Sequence, residues 1–429
     1  MKILVFLFIF FLPYADIALI NIPSVGVGLS VSFVFAIILI LLFSFYRIKQ
    51  YKFKVYKIKT DKILLSFYII LIASILMTYF MPTGIDYFNE KPWIKSIKQI
   101  IYITINILIY IYLQVFISKY SRLVGMLKVI SIALLLNVLV GFYQVIAYKY
   151  SLPYLDFLHN NISIPSGQDQ LYNGIKRMAG LSGEPAMFGF VTVSIFIFLF
   201  YINSFKIYLF NKRLDRFILL LLGCGIILST SFAVIFIVIF YIVYLYFRNG
   251  FNLLKILKLS LLFTIFIFIM YIGTGSDFIV DRLIETSSGT SYSSMIRGNM
   301  FLTGILIFID YPIFGVGLGN FGFYAPLYSP IELDKFWESM SLFSRLLSET
   351  GFLGFIAFLL FIYSHKRLTY DKKSNIINKE VIFSQGLYHS VVAMTLVLLI
   401  AIPSLTWMIY WVFLAMLRKS IIYRRSTRK

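Results

Sequence analysis

Glu338, Ser341, Arg345 and Glu349 follow one another at spacings of 3, 4 and 4. At 100° per residue they share a sector of about 80° on one helix face. That face sets two carboxylates, a hydroxyl and a guanidinium at the start of a strongly apolar run. A charge at the bilayer centre costs about 2.5–3.5 kcal/mol on insertion scales, so ionisable residues there face a cavity or one another. Two readings follow: Arg345 and Glu349 form a structural ion pair, or the four residues line a water-filled site at the outer mouth of a helix bundle.

Further cations sit in polar stretches of the same character. Arg177 follows Lys176 and leads through Met-Ala-Gly-Leu-Ser-Gly-Glu-Pro into an apolar segment; Arg282 and Arg297 share a later loop. A guanidinium fork matches two oxygens of a phosphate or pyrophosphate through parallel N–H bonds. The plainer alternative pairs these arginines with Asp281, Glu285 or lipid headgroups. Glu184, in Gly-Glu-Pro, suits a general base or a holder of Arg177. The run Tyr311-Pro312-Ile313-Phe314-Gly315-Val316-Gly317-Leu318-Gly319-Asn320 has the glycine spacing of a dinucleotide loop, but no preceding strand or βαβ context supports that reading. Its glycines instead permit a tight turn whose backbone closely approaches a neighbour or ligand. Asn106, Gln114, Asn137 and Gln144 are expected to form interhelical hydrogen bonds. The single Cys224 excludes disulfides and cysteine-based metal sites. His159, His365 and His389 are too scattered to read as a metal site, and nothing in the pattern requires a metal or cofactor.

These residues must be positioned by membrane helices. Of the 429 residues 60% are hydrophobic and only 13% are charged, with a mean hydropathy of +0.89. A soluble core of this length needs far more polar surface. Spans of about 20 apolar residues are expected near 3–20, 25–46, 63–80, 99–117, 124–147, 185–203, 216–229, 231–247, 254–273, 342–363, 381–401 and 404–417. The expected fold is thus all-α: a single integral membrane domain over 1–429, with about 12 transmembrane helices. The net charge of +21 first suggests nucleic acid. However, 29 of the 39 Lys and Arg fall on alternate segments that include both termini, while 13 of the 18 acids fall on the opposite ones. This is the positive-inside pattern, so both termini are expected in the cytoplasm and nucleic acid is excluded as the partner. Met1-Lys2 and the apolar run behind it resemble a signal peptide, but no small-x-small cleavage site is clear, so the run is read as a helix. Two outer loops stand out, near 148–184 and 274–341. The second carries a helix over Ser293–Asp310, ended by Pro312 and too short in its apolar part to span. It is expected at the interface or across the bundle mouth.

With these residues in place, the chain resembles the O-antigen polymerase and O-antigen ligase superfamily of bacterial surface-polysaccharide assembly. Three features carry the resemblance over roughly residues 120–420. They are Arg177-x-x-Gly180-x-x-x-Glu184-Pro185 entering a span, Arg297 on an outer-loop helix followed by Tyr311-Pro312-x-x-Gly315-x-Gly317, and Arg345-Leu346-Leu347-Ser348-Glu349-Thr350-Gly351 entering the next span. The resemblance implies transfer of a glycan from a polyprenyl-pyrophosphate carrier to an acceptor hydroxyl, outside the bacterial cytoplasmic (inner) membrane. Glu184, Arg297 and Glu349 are then the catalytic candidates, and Arg177, Arg282, Arg345 and Glu338 the substrate-binding ones. Lipid-linked oligosaccharide and membrane lipid are the implied partners, with a chain-length regulator and a flippase as possible ones. Ligases of the superfamily usually carry a functional His near the Glu-x-Gly span. Glu338-Ser339-Met340-Ser341-Leu342 has none, which favours a polymerase. The paired motif of Arg, ten residues and Gly described for some polymerases is also missing, because Phe188 and Phe308 stand at the glycine positions. A lipid-linked-oligosaccharide flippase is the rival from another class; it calls for related halves and short outer loops.

Overall fold

The computed structural model describes residues 1–23, 27–49, 59–80, 91–164, 171–172, 175–247, 292–333, 336–369 and 379–426. Among them the chain forms thirteen α-helices and two short hairpins, an all-α membrane bundle. The helices are α1 (Lys2–Phe11), α2 (Val31–Lys49), α3 (Lys59–Leu76), α4 (Pro92–Phe116), α5 (Tyr120–Tyr150), α6 (Pro185–Ser204), α7 (Lys212–Leu228) and α8 (Phe232–Phe247). They continue with α9 (Tyr292–Asp310), α10 (Phe321–Tyr328), α11 (Leu342–Thr369), α12 (Lys379–Ala401) and α13 (Met408–Ser426). Among the described residues, six stretches are helical, long and apolar enough to cross a membrane: Lys62–Phe80, Pro92–Phe116, Tyr120–Tyr150, Pro185–Ser204, Leu342–His365 and Lys379–Ala401.

α6 is apolar all round, and 16 of its 20 residues are buried, which marks a central helix. It lies against α12, which in turn packs on α13; α4 packs on α13 and α3 on α11. Lipid tails are as apolar as leucine, so packing and interhelical polar bonds hold such a bundle. Tyr201 Oη donates to Gln385 Oε1 (2.7 Å), and Tyr110 and Tyr241 hydroxyls meet His365 Nε2 (3.2 Å) and His389 Nδ1 (2.9 Å).

The first expected span needs correction. Helix runs only to Phe11, with Pro13 just beyond it, and Ala18–Ile22 is instead strand β1, paired antiparallel with β2 (Val27–Ser30). Pro13 cannot continue the helix. Asp16 would be costly facing lipid; it is buried, accepts His159 Nδ1 at 2.8 Å, and its backbone N–H bonds Leu181 O. The second span accordingly begins at Val31 rather than residue 25. The expected span 254–273 lies outside the described residues. α4 starts at Pro92, a proline suited to a first helical turn, and α13 starts late, after the Pro403–Thr406 turn. The loop helix expected over Ser293–Asp310 is α9, Tyr292–Asp310.

α9 lies along α11 in the same direction. Phe301 stacks on Phe343 at 5.9 Å, Gly304 abuts Ser344, and Ile313 reaches Gly351. Its inward stripe of Ile296, Met300, Thr303 and Ile307 is buried, and Arg297 stands on the exposed side. Ile296, Met300 and Ile307 share a small core with Val316, Phe321, Phe323 and Tyr324 from α10 and the turn before it.

Candidate functional site

Of the four residues expected on one helix face, only Arg345 and Glu349 lie on α11, which begins at Leu342. Glu338 and Ser341 precede it, yet Glu338, Arg345 and Glu349 form one bonded network. Arg345 Nε donates to Glu349 Oε2 at 3.1 Å, and its Nη1 donates to Glu338 Oε2 at 3.1 Å and to the Pro403 carbonyl at 2.9 Å. Lys95 Nζ, from α4, lies 3.2 Å from Glu338 Oε1 and 3.4 Å from the Phe336 ring centre. Among the described residues, two cations and two carboxylates thus meet here. Ser341 caps α11 through Ser344 N (3.2 Å), and its hydroxyl bonds Ser344 Oγ rather than the charges. The carboxylates differ in standing. Glu349 is 2% exposed on a helix, whereas the Glu338 side chain is 40% exposed on irregular backbone before it.

Burial alone would raise the Glu338 carboxyl, but the Arg345 and Lys95 cations outweigh it and hold it below the ordinary carboxylate range. A depressed folded value contributes stability that is present above the ordinary carboxylate range and lost as pH falls through that depressed value. Melting temperature measured against pH in detergent is expected to fall in acid for the native chain. Glu338→Gln should flatten that acid limb; a variant with an unchanged limb would place the acid sensitivity elsewhere.

The glycine turn expected to approach a neighbour does so at a break in α11. Gly351 has φ 64° and ψ −167°, which interrupts the helix and leaves its backbone groups without their usual partners. The turn supplies replacements on both sides. Val316 N and Gly317 N donate to Ser348 O (2.8 Å) and Glu349 O (3.0 Å), while Phe352 N and Leu353 N donate to Pro312 O (2.8 Å) and Ile313 O (3.4 Å). A Cβ on Gly315 would stand 2.4 Å from Ser348 O, so the approach requires glycine. Phe321 N then reaches Glu349 Oε1 at 3.4 Å, so the loop also orients the carboxylate that holds Arg345.

Residues from the first third of the chain pin the other side of this turn. Ser96 Oγ donates to Leu318 O at 2.6 Å, and Asn320 Nδ2 donates to Thr78 Oγ1 at 2.9 Å and Val316 O at 3.0 Å. Sequence reasoning missed Lys95, Ser96 and Thr78 in this role. Lys95 was visible as a cation among the segments rich in acids, the one signal that could have singled it out.

Arg177 and Glu184 belong to a second group. Arg177 Nε donates to Thr230 Oγ1 at 2.8 Å in the α7–α8 turn, and Met178 N bonds Leu228 O. Glu184 is half-buried at the N-cap of α6 and gives that cap no side-chain bond. Asn137 and Gln144, expected to bridge helices, clasp this loop instead. Gln144 exchanges both amide bonds with Gly180 (2.7 and 2.9 Å), and Asn137 takes Leu181 N at 2.7 Å and gives to Ser182 Oγ at 2.9 Å. Gly180 and Gly183 give this loop positive φ, and buried backbone groups of Gly180 and Leu181 are met by the polar side chains of α5. Asn106 likewise bonds a turn, at Thr406 O. Phe190, early in α6, packs on Trp407 at 6.3 Å, so both groups lie at the bundle end that holds the α12–α13 turn. Arg297 lies on the exposed face of α9, and Arg282 falls outside the described residues.

An apolar helix bundle of this kind is a polytopic membrane protein, here with a paired cluster of charged side chains at one end. Residues 217–359, about a third of the chain, match the family model described as O-Antigen ligase, in agreement with the O-antigen polymerase and ligase superfamily. No curated protein matches the chain. The matched stretch contains α9, α10, the glycine turn, Glu338, Arg345 and Glu349, and it leaves out Arg177, Glu184 and Lys95.

Proposed function

We propose that the chain is a polysaccharide polymerase of the bacterial inner membrane, with both termini cytoplasmic. It joins lipid-linked oligosaccharide repeat units by glycosyl transfer on the outer side. The observation that carries this reading is the Lys95–Glu338–Arg345–Glu349 network, locked by the glycine turn at one end of an apolar bundle. Charge builds on the diphosphate leaving group as the glycosidic carbon is attacked, and fixed cations stabilise it most in a site of low dielectric. Arg297, on the exposed face of α9, and Arg177, on the loop entering α6, are cations proposed to meet that group. Arg345, kept in place by Glu349 and the Pro403 carbonyl, is the third cation proposed for the diphosphate, with Glu338 seated on it in the absence of substrate. Glu184, half-buried and outside the ion pairs among the described residues, is the better proposed base; Glu349 is committed to Arg345.

Arg297→Ala and Arg177→Ala in a host lacking this gene are expected to cut long-chain surface glycan about a hundredfold or more, scored by gel. Wild-type chain lengths in properly inserted variants would overturn the arginine assignment. A ligase reading draws support from the description of the matched model, and the missing histidine in Glu338–Leu342 weighs against it. Liposomes holding purified protein and outward-facing lipid-linked repeats separate the readings. A polymerase lengthens the repeats, a ligase moves them only when a second acceptor is added, and a flippase leaves them unchanged.

A further inference from the structure

Lys95 and Arg345 come from different helices, yet each takes one oxygen of the same Glu338 carboxylate, at 3.2 and 3.1 Å. This bracketed carboxylate has the shape of an occupied anion site. The two acids around Arg345 are not equivalent in it. Glu349 is buried on α11, takes the Nε of Arg345, and is further held by Phe321 N. Glu338 sits outside the helix, two-fifths exposed, with no hydrogen bond to any backbone N–H. An exposed acid on irregular backbone is the member of such a network that exchanges most readily, since water screens what it gains. Arg345 would keep Glu349 and the Pro403 carbonyl throughout.

We propose that Glu338 is an internal plug on a diphosphate subsite formed by Lys95 and Arg345, and that an entering diphosphate displaces it. The subsite rests on the glycosyl-transfer reading for its place in the reaction, although binding itself can be measured without turnover. Among the described residues, the charged groups facing Glu338 are Lys95 on α4 and Arg345 on α11, with Glu349 behind the latter. A ligand phosphate carries more charge than the carboxylate it replaces and offers oxygens to both cations at once. The apparent affinity is lowered by the fraction of molecules in which the plug is seated.

The test is binding of farnesyl diphosphate to purified full-length protein in detergent, with inorganic pyrophosphate as competitor. Glu338→Gln, which keeps the shape and removes the charge, is expected to tighten binding about tenfold. Lys95→Met should weaken it by a similar factor, and the double variant should resemble Lys95→Met. Unchanged or weaker binding in a folded Glu338→Gln protein would overturn the plug. Unchanged binding in Lys95→Met would overturn the subsite. Competition by inorganic pyrophosphate places recognition in the diphosphate; farnesyl diphosphate that resists competition and ignores both substitutions would assign it to the prenyl chain and sink the proposal. Tight binding without glycan elongation in the liposome assay would retain the subsite and overturn the polymerase reading.

Discussion

Arg345→Met is expected to cost the folded protein about 3–5 kcal/mol, because it strands Glu349 as an uncompensated charge in a dry environment. Glu349→Leu should be comparably damaging, leaving Arg345 with Glu338, the exposed acid, and one carbonyl. The double variant Arg345→Met with Glu349→Leu should recover much of the loss, since a buried pair replaced by apolar side chains of similar volume is often neutral. Thermal unfolding in detergent, followed for the four proteins of the cycle, gives the coupling directly. Additive losses would mean that the two side chains do not depend on each other, contrary to the 3.1 Å contact between them. Activity should behave differently from stability. The rescued double variant has lost the groups that keep Glu338 and the Phe321 backbone in place, so glycan elongation should stay low although the protein folds.

Gly351→Ala is the second large effect. Its φ of 64° with ψ of −167° lies in a region essentially restricted to glycine, and strain there costs about 1–3 kcal/mol. A Cβ would also stand 2.3 Å from Ile313 O, in backbone that cannot withdraw without breaking the Phe352 and Leu353 bonds. The combined penalty is expected to exceed about 3 kcal/mol and to abolish long-chain glycan through lost insertion or folding. Gly298→Ala is the matched control, because a Cβ there meets nothing within 4 Å and a helical Gly-to-Ala exchange is favourable by about 0.5–1 kcal/mol. Normal yield and melting temperature for Gly351→Ala would show that α11 can close its break without the turn.

The pattern of what was legible follows the range of the interactions. Arg345 and Glu349 are neighbours on one helix face, and helical periodicity alone brings them together, whereas Glu338 joins them from irregular backbone just before α11. α9 announced itself by an apolar run bounded by serines and a proline, and the glycine turn by spacing that only close backbone approach explains. Lys95 was not legible as a partner, because an ion pair between α4 and the segment before α11 depends on how helices assemble. α1 misled for a local reason. Its hydropathy continues past Pro13, while the buried Asp16, its His159 partner and the β1–β2 pairing are tertiary facts. Asn137 and Gln144 were correctly read as polar residues inside a span. Their partner proved to be the loop carrying Arg177, whose unpaired backbone no periodicity reveals.

The matched stretch ends at residue 359 and starts at 217, yet its glycine turn hangs from Ser96 and Thr78, and its arginine from Pro403. The segment that defines the relationship is therefore not a transplantable module. A chimera exchanging residues 217–359 between relatives inherits a loop without its moorings unless the ends of α3 and α4 and the α12–α13 turn travel with it. Divergence is constrained in the same way: a change at Ser96 or Asn320 must be answered on the other side of the bond, far away in sequence, for the turn to keep its seat.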